Sequence, residues 1–402
     1  MIVMLSSGES RFDYGLITIL KTLFNEALLI EIEKKEHICK PALVRKYVKV
    51  CNEEVTDIDI LKLPYVNSVS SLHQVLSNLI NEEKLGLVVV PRNPQFFSLG
   101  LALGKHYDAK IVWNYSPTPF YLLKALELKS MRKISNLLKL KELMKGLSGF
   151  SFNVIQGLFS DKAIFMDPID YKIFSKFLGR KAILIPPPYA SLETDDSYHL
   201  TLSRPFTFHL DEALLEDGGY ILSVITIART GIGKIFEELS LHTILWLSKK
   251  CKNMRFLVVG TSSDHVKRLG IRPGKFPNVS FLGFITCDKL YKSIIEKAAA
   301  VLIPQFIPGR SNRVIEAIYY EKPFVTTPLA QRYHIGLRHR YNSLICNSGH
   351  CFIKALKEII HGNLYDKIKN GLRVLRATYY NYPNIKKILQ DTLINGLLEI
   401  KQ

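Results

Sequence analysis

Short, continuous apolar runs alternate with stretches of helical spacing along most of this chain. In the first half, the apolar runs predict strands at residues 2–5, 27–32, 85–91, 109–113, 163–166 and 182–188. The spacing between them predicts helices at 16–23, 96–106 and 167–178, the last begun by Asp167 as N-cap and by Pro168. A run that is apolar at every position is typical of a strand buried on both faces of a parallel sheet. The first half is therefore predicted to be a doubly wound α/β domain.

The same alternation restarts in the second half. Apolar runs predict strands at residues 220–227, 254–259 and 279–282, and helical spacing predicts helices at 235–250, 264–269, 288–299, 353–360 and 379–401. Between residues 191 and 219 the apolar pattern lapses, which is typical of a linker. The pattern thus predicts a second doubly wound domain after a linker.

The segment from Val301 to Thr327 predicts a strand, a loop, a helix and a second strand in close succession. An apolar run begins at Val301, and helical spacing covers residues 311–320 before a second apolar run begins at Phe324. Because parallel strands require a crossover connection, this is a βαβ unit of nearly minimal length.

The loop before that helix has residues suited to a phosphate: Gly309, Arg310, Ser311 and Asn312. Free backbone N–H groups and the helix dipole both favour an anion at a helix N-terminus. Glu316, about one turn beyond Asn312, adds a carboxylate that could accept hydrogen bonds from ribose hydroxyls. Together these residues indicate a site for a nucleoside diphosphate.

Two cations follow the predicted strand at 220–227. Arg229 and Lys234 lie five positions apart where a strand gives way to a helix, so both can approach one pyrophosphate. A Walker A loop is excluded, because Ala228 replaces its leading glycine and Ile235 replaces its Ser/Thr.

The motif of Gly309, Arg313 and Glu316-Ala317, followed by Lys322-Pro323-Phe324-Val325, resembles the nucleotide-sugar motif of the group 1 glycosyltransferases. Those are retaining enzymes of the GT-B fold, in which two Rossmann-like, doubly wound domains face a cleft. In that family a first glutamate precedes the one matched by Glu316, and here Pro308 occupies its position. The family's Gly-Gly turn and its acceptor-side histidine are also absent from this sequence.

The resemblance implies roles for individual residues. It implies catalytic roles for Arg229, Lys234 and Glu316, and donor binding by Gly260, Phe284, Ile285, Gly309, Arg310, Ser311, Asn312 and Arg313. On the acceptor side it implies Gly8, Asn114 and Tyr115. It also implies transfer of a hexose with retention and without a metal or other cofactor, and no DxD motif is visible in the sequence.

The domain boundaries follow from both lines of reasoning. We expect an N-terminal acceptor domain at residues 1–198, a linker at 199–218 and a nucleotide-sugar domain at 219–376. Residues 377–402 are expected to form a C-terminal helix that returns to the N-terminal domain, as in the resembled family.

The donor site alone does not explain the net charge of +18. No nucleic-acid-binding motif is present, so we expect no nucleic-acid partner. Residues 120–147 interleave lysines and arginine with leucines, a composition suited to an anionic membrane surface. The alternative is a surface helix whose leucines pack inward and whose lysines are solvated.

Targeting features point to the cytoplasm. The first ten residues have no basic region followed by a long apolar run, and no apolar run approaches the roughly 18 residues of a membrane span. The six cysteines show no CxxC pair and are expected to be reduced thiols. We therefore expect a cytoplasmic protein, peripheral on a membrane if residues 120–147 bind one.

The sequence supports two functions of different kinds. The first is a glycosyltransferase that uses a nucleotide-diphosphate sugar and a lipid-linked or other acceptor. The second is a catalytically silent GT-B protein that binds a nucleotide or sugar as a partner subunit. Three features favour it: Pro308 in place of a carboxylate, the missing Gly-Gly turn and the absent acceptor-side histidine.

Overall fold

The computed structural model describes residues 1–6, 11–24, 26–33, 42–51, 54–64, 85–91, 94–115, 136–192, 219–225, 232–285 and 288–395. The chain divides into two compact units. The first combines Met1–Tyr198 with Tyr379–Gln402, and the second is His199–Thr378.

The first unit is built on a sheet in the order β8-β7-β6-β5-β1-β2-β4-β3-β9. Its strands are β1 (Ile2–Ser6), β2 (Ala27–Glu33), β3 (Ala42–Val50), β4 (Glu54–Pro64), β5 (Leu87–Pro91), β6 (Lys110–Tyr115), β7 (Lys162–Phe165), β8 (Ala182–Leu184) and β9 (Ala190–Leu192). Only β3 runs against its neighbours β4 and β9, and the other pairings are parallel. The chain leaves β1 on one side and later returns to place β5 on the other, so the sheet is doubly wound.

Helices connect these strands. They are α1 (Arg11–Phe24), α2 (Pro94–His106), α3 (Asn136–Phe159) and α4 (Pro168–Leu178). The predicted start of α4 is confirmed: Asp167 accepts hydrogen bonds from the amides of Ile169 at 2.8 Å and Asp170 at 3.1 Å, and a proline opens the helix.

The core of the first unit lies between the sheet and helices α2 and α4. Trp113 and Phe165 are fully buried there, with ring centroids 5.9 Å apart, and Phe174 of α4 stacks on Phe165 at 5.5 Å. Helix α3 approaches α4 closely at Gly157, where an added Cβ would lie 2.6 Å from the Leu178 side chain. A side chain at position 157 would therefore require the Leu178 side chain to move.

The second unit has a sheet of parallel strands in the order β12-β11-β10-β13-β14-β15. Its strands are β10 (Ile221–Val224), β11 (Phe256–Val259), β12 (Val279–Gly283), β13 (Ala300–Ile303), β14 (Phe324–Thr326) and β15 (Leu344–Ile345). Its helices are α5 (Ile232–Lys250), α6 (Ser263–Arg268), α7 (Asp288–Lys297), α8 (Asn312–Tyr319), α9 (Pro328–Tyr333), α10 (Gly349–Ile360) and α11 (Leu364–Tyr379). The predicted βαβ unit is confirmed as β13, α8 and β14.

The described part of the chain ends with α12 (Tyr382–Leu389) and a π-helical turn at Gln390–Asn395. The single helix predicted at 379–401 is wrong at its start, because α11 ends at Tyr379 and Asn381 caps a new helix, accepting from the amide of Asn384 at 2.7 Å. Helix α12 belongs to the first unit, where the hydroxyls of Tyr382 and Thr22 lie 2.6 Å apart.

Three strands of the first unit were not predicted. Strands β3 and β4 form an antiparallel hairpin, and β9 pairs with β3. The predicted strand at 182–188 ends at Leu184, since the prolines that follow cannot donate to a ladder. The predicted linker at 199–218 lies outside the described residues.

One cysteine prediction is wrong. Cys346 follows β15 and Cys351 lies in the first turn of α10, and the turn between them brings their Cα atoms to 5.3 Å, where they form a disulfide. The remaining cysteines are Cys51 and Cys251, which are free and buried, and Cys39 and Cys287, which lie outside the described residues.

Within the described residues, no helix combines the length and the apolar character needed to cross a membrane.

Candidate functional site

The candidate donor site lies where the second sheet reverses its winding. From β10 the chain moves outward to β11 and β12, and it then returns to place β13 on the other side of β10. In doubly wound sheets, ligands bind outside the carboxyl ends of the strands at this reversal. The loop 304–311 leaves the carboxyl end of β13 and leads to the N-terminus of α8.

Gln305 fixes the shape of this loop. Its side-chain Nε2 donates to the carbonyl of Ile307 at 2.9 Å and to that of Gly309 at 2.6 Å. Its own carbonyl accepts from the Thr327 hydroxyl at 2.6 Å. Gly309 has a φ of +118°, which favours glycine because a side chain would be strained there. The loop is thus held in one shape before any ligand binds.

The amide of Ser311 is already bonded, which corrects the expectation that all amides of this loop are free. It donates to Nε2 of His334 at 3.1 Å, while Nδ1 of His334 donates to the carbonyl of Ala330 at 2.7 Å. Burial lowers the pKa of His334 to about 4, so the imidazole is neutral near pH 7. The amides of Asn312 and Arg313, the first two of α8, have no acceptor within the helix. Both amides could therefore donate to an anion.

Arg313 lies in a buried ion pair. Its guanidinium donates to Oε1 of Glu237 at 2.7 Å and to the carbonyl of Val224, the last residue of β10, at 2.8 Å. The Glu237 side chain is 7% exposed and the Arg313 side chain 21%. The side chain of Arg313 therefore ties α8 to α5 and β10, and only its backbone amide is placed as a donor-site group.

Glu316 lies one turn further along α8 and is half-buried. Its Oε2 accepts a hydrogen bond from the Tyr291 hydroxyl of α7 at 2.6 Å. This bond orients the carboxylate, and each carboxylate oxygen can accept more than one hydrogen bond, so a ligand hydroxyl could also donate to it.

The remaining donor-site candidates are placed around the carboxyl edge of the same sheet. Lys234 lies in the first turn of α5, where its Nζ is 3.6 Å from Glu238. Gly260 follows β11 with a φ of +90°, and its amide donates to the Gly283 carbonyl at 2.6 Å. Phe284 is 67% exposed just after β12, beside the half-buried Ile285. Each of these residues follows a strand or opens a helix at that edge.

The last two donor-site candidates are Arg310 and Arg229. Arg310 is half-buried in the loop, and its charge contributes to the low pKa of His334. Arg229 lies outside the described residues, so the predicted pair of Arg229 and Lys234 is described only at Lys234.

On the acceptor side, the structure adds Asp13 to the predicted Asn114. Asp13, in the first turn of α1, accepts from the Ser6 hydroxyl at the end of β1 at 2.8 Å, and from the Asn114 side chain of β6 at 3.2 Å. These three side chains lie at the carboxyl edge of the first sheet, next to the reversal between β1 and β5. Gly8 lies outside the described residues.

The assignment of Tyr115 to the acceptor side is wrong. Tyr115 is still part of β6 and shares a face of the sheet with Trp113, since side chains two apart in a strand point the same way. Its ring is 1% exposed and lies 5.2 Å from the rings of both Trp113 and Phe174. Its role is in the core.

Comparison with known proteins gives a result only at the level of structure. No family model matches the sequence, and no curated protein matches it. HepE from Anabaena, solved in complex with UDP-glucose, has a TM-score of 0.63 at 13% identity, covering 98% of this chain and 99% of that one. The UDP-forming α,α-trehalose-phosphate synthase from Burkholderia vietnamiensis has a TM-score of 0.59 at 12% identity, covering 99% of each chain. The corresponding synthase from Burkholderia xenovorans, in complex with glucose-6-phosphate, has a TM-score of 0.59 at 11% identity over both full chains.

These similarities define the fold. The chain has the GT-B fold, with two Rossmann-like α/β units matched over nearly their whole length. At these identities the likeness extends to architecture alone, and function depends on the site itself.

Proposed function

We propose that this protein is a glycosyltransferase that takes a hexose from a nucleotide-diphosphate sugar. In this proposal the hexose is transferred with retention, without a metal, to a lipid-linked or other acceptor. The protein would act in the cytoplasm, attached peripherally to a membrane where the acceptor is a lipid.

The observation that supports this most directly is the arrangement at the reversal of the second sheet. The loop 304–311 is fixed by Gln305, the first amides of α8 lack intrahelical acceptors, and Glu316 is oriented by Tyr291. A nucleoside diphosphate needs this combination, since N–H donors suit its phosphates and a carboxylate suits its ribose hydroxyls. HepE, a structural neighbour, was solved with UDP-glucose, so UDP-hexoses are the first donors to test.

The chemistry would be electrostatic. As the nucleoside diphosphate leaves, negative charge grows on its phosphate oxygens, and groups already aimed at that charge lower the barrier. Lys234 and Arg229 would supply cations, and the amides of Asn312 and Arg313 would supply dipoles. Together they could take the place that a metal has in other transferases.

A catalytically silent binder is the second candidate, and specific observations favour it. Pro308 stands where the resembled family has a carboxylate. The Ser311 amide is bonded to His334, and the Arg313 side chain is paired with Glu237. Because the Ser311 amide and the Arg313 guanidinium already have partners within the protein, fewer groups can form new hydrogen bonds to a substrate during a reaction.

The acceptor would bind at the first unit. Ser6, Asp13 and Asn114 form a hydrogen-bonded group at the carboxyl edge of its sheet, suited to contact with sugar hydroxyls. Residues 120–147 supply cations for an anionic lipid surface in this proposal, although only 136–147 are described, as part of α3.

A screen of nucleotide sugars tests the proposal. We expect one donor to raise the melting temperature and to be hydrolysed slowly in the absence of acceptor. The stereochemistry of the transferred sugar, determined by NMR, tests retention, and activity in a chelator tests metal independence. Stabilisation without turnover would select the silent binder, and no stabilisation by any donor would contradict both readings.

A matched pair of variants sharpens the screen. Glu316→Gln should lose the donor-dependent shift in melting temperature. Glu296→Gln, an exposed carboxylate on α7 paired only with Lys292 among the described ion pairs, should keep it. Equal shifts in the two variants would remove Glu316 from the site.

A further inference from the structure

Helices α3 and α4 carry more than half of the exposed large apolar side chains of the described chain. We define the α3–α4 apolar surface by its six principal members, Leu147, Ile155, Leu158, Phe159, Ile173 and Phe177. Those on α3 recur three or four residues apart, with the exposed Ser151 in the same row, so they occupy one face of the helix. Phe159 is 67% exposed and Phe177 is 52% exposed.

The two helices present these side chains as one surface. Gly157 of α3 packs against Leu178 of α4. The ring of Phe150 on α3 lies 5.3 Å from that of Phe174 and 5.5 Å from that of Phe177 on α4. The exposed ring of Phe177 is therefore held beside α3.

On α3 a polar side chain is buried and an apolar side chain is exposed, which is the opposite of what packing against the rest of the protein favours. Asn153 is fully buried, and neither polar atom of its side chain has a hydrogen-bond partner in the described part of the protein. Phe159, on the same helix, is mostly exposed. A buried amide without partners costs free energy, and an exposed ring gains none. The contacts of the described residues therefore do not account for the apolar outer face of α3.

Exposed cations accompany the apolar side chains, whereas Asp161, a described acid just beyond α3, is half-buried and lies 3.5 Å from Lys110. Lys172 and Lys176 are exposed beside Ile173 and Phe177, and Arg180 is exposed just beyond the end of α4. The acids at the start of α4, Asp167 and Asp170, are both buried. Lys181 lies at the C-terminal end of α3, donating to the carbonyls of Leu158 at 2.8 Å and Ser160 at 3.0 Å. Exposed rings are thus flanked by positive charge.

We propose that the α3–α4 apolar surface binds an anionic lipid surface. Its rings would enter the boundary between head groups and acyl chains, and Lys172, Lys176 and Arg180 would contact the head groups. A second copy of the chain fits less well. A two-fold contact packs the same patch of both copies together, so cations from both copies would gather at one interface.

This proposal goes beyond the donor chemistry and does not depend on it. It also differs from attachment by the lysines of residues 120–147, because apolar insertion persists at high salt whereas attraction of cations to a surface is screened. The two contributions can therefore be separated by ionic strength.

Vesicle co-sedimentation of the full chain tests it. The probes are phosphatidylcholine vesicles with and without phosphatidylglycerol, at low and high salt. We expect the wild type to bind the mixed vesicles and to retain part of its binding at high salt. Since about half or more of each ring is exposed, Phe159→Ser should weaken binding roughly tenfold, and the double variant Phe159→Ser/Phe177→Ser roughly a hundredfold.

Matched controls separate this effect from unfolding and from charge. Val374→Ser changes a 51% exposed apolar residue of α11 in the second unit, and it should bind vesicles as the wild type does. Lys172→Glu/Lys176→Glu should lose the preference for phosphatidylglycerol. Melting temperatures near that of the wild type show that the variants fold. If the double variant does not fold, the comparison of Phe159→Ser with the wild type still tests the proposal.

Three outcomes would overturn the proposal: wild-type protein that ignores vesicles, Phe159→Ser protein that binds like the wild type, or equal losses with Val374→Ser. A concentration-dependent dimer that Phe159→Ser dissociates, without vesicle binding, would instead assign the surface to a second copy. Because no donor is present, failure here is distinct from failure of the glycosyltransferase proposal.

Discussion

Replacing Arg313 by methionine is expected to destabilise the second unit rather than to weaken donor binding directly. The substitution removes the guanidinium that donates to Glu237 at 2.7 Å and to the Val224 carbonyl at 2.8 Å. Methionine keeps much of the side-chain volume, so the loss of charge and of hydrogen bonds dominates the effect.

The magnitude follows from the burial of the partner left behind. The Glu237 side chain is 7% exposed, so Arg313→Met leaves a carboxylate out of water without its cation. Breaking such a pair costs about 3 to 5 kcal/mol, and the 21% exposure of Arg313 places the expected loss near 3 kcal/mol. Removing both charges, as in Arg313→Met/Glu237→Leu, should cost about 1 kcal/mol, because no buried charge then remains. The two single changes should therefore be strongly coupled.

The assay uses the placement of the two tryptophans. Trp113 belongs to the first unit and Trp246 to the second, and they are the only two in the sequence. In a Trp113→Phe background, Trp246 fluorescence during urea unfolding reports the second unit. Each variant is compared with the Trp113→Phe protein, so the change in unfolding free energy caused by Trp113→Phe itself cancels.

Two results would refute this reasoning. The first is an Arg313→Met protein within about 0.5 kcal/mol of its parent, the size of an ordinary surface substitution. The second is a stable Arg313→Met protein that has lost most of its donor affinity. That result would return the Arg313 side chain to the donor-binding role that the sequence resemblance implies.

Three other predictions address the site. Arg229→Ala and Lys234→Ala should each lower turnover roughly a hundredfold, about 3 kcal/mol of barrier, with little change in melting temperature, and near-normal turnover in both would refute their role. Glu316→Gln should weaken nucleotide binding in a titration while leaving the fold intact, and unchanged affinity would make it a structural residue. Burial lowers the pKa of His334 from its ordinary 6.5 to about 4. The unfolded chain therefore binds this proton more readily, and stability is lost as the pH falls from about 6.5 towards 4. His334→Gln should remove up to about 3 kcal/mol of that pH dependence, and an unchanged pH profile would contradict the argument.

Several elements could be predicted because their sequence signals are local. The start of α4 at Asp167 and Pro168 and the succession of β13, α8 and β14 follow from capping preference and apolar runs within short windows. The β3–β4 hairpin and β9 were missed, since their pairing depends on partners distant in sequence.

The groups that orient the site could not be predicted from the sequence. His334 reaches Ser311 across 23 positions, Glu237 reaches Arg313 across 76, and Asp13 reaches Asn114 across 101. Each is a single polar residue on an otherwise ordinary helix or strand end, with no motif to mark it. The prediction that Tyr115 lies on the acceptor side was wrong for a related reason, because the sequence does not show where β6 ends and a loop begins.

The return of the last helix to the first unit has a consequence for biosynthesis. Tyr382, Ile385 and Leu389 are buried in α12, and the Tyr382 hydroxyl meets that of Thr22 at 2.6 Å. Helix α1 therefore leaves the ribosome long before the helix that covers it. At about 5 to 20 residues per second, the synthesis of His199–Thr378 takes on the order of ten seconds or more. During that interval the apolar face of α1 that α12 later covers is exposed on the nascent chain. A chaperone could bind this face until α12 has been made. The second unit, whose residues are made consecutively, can complete its folding first.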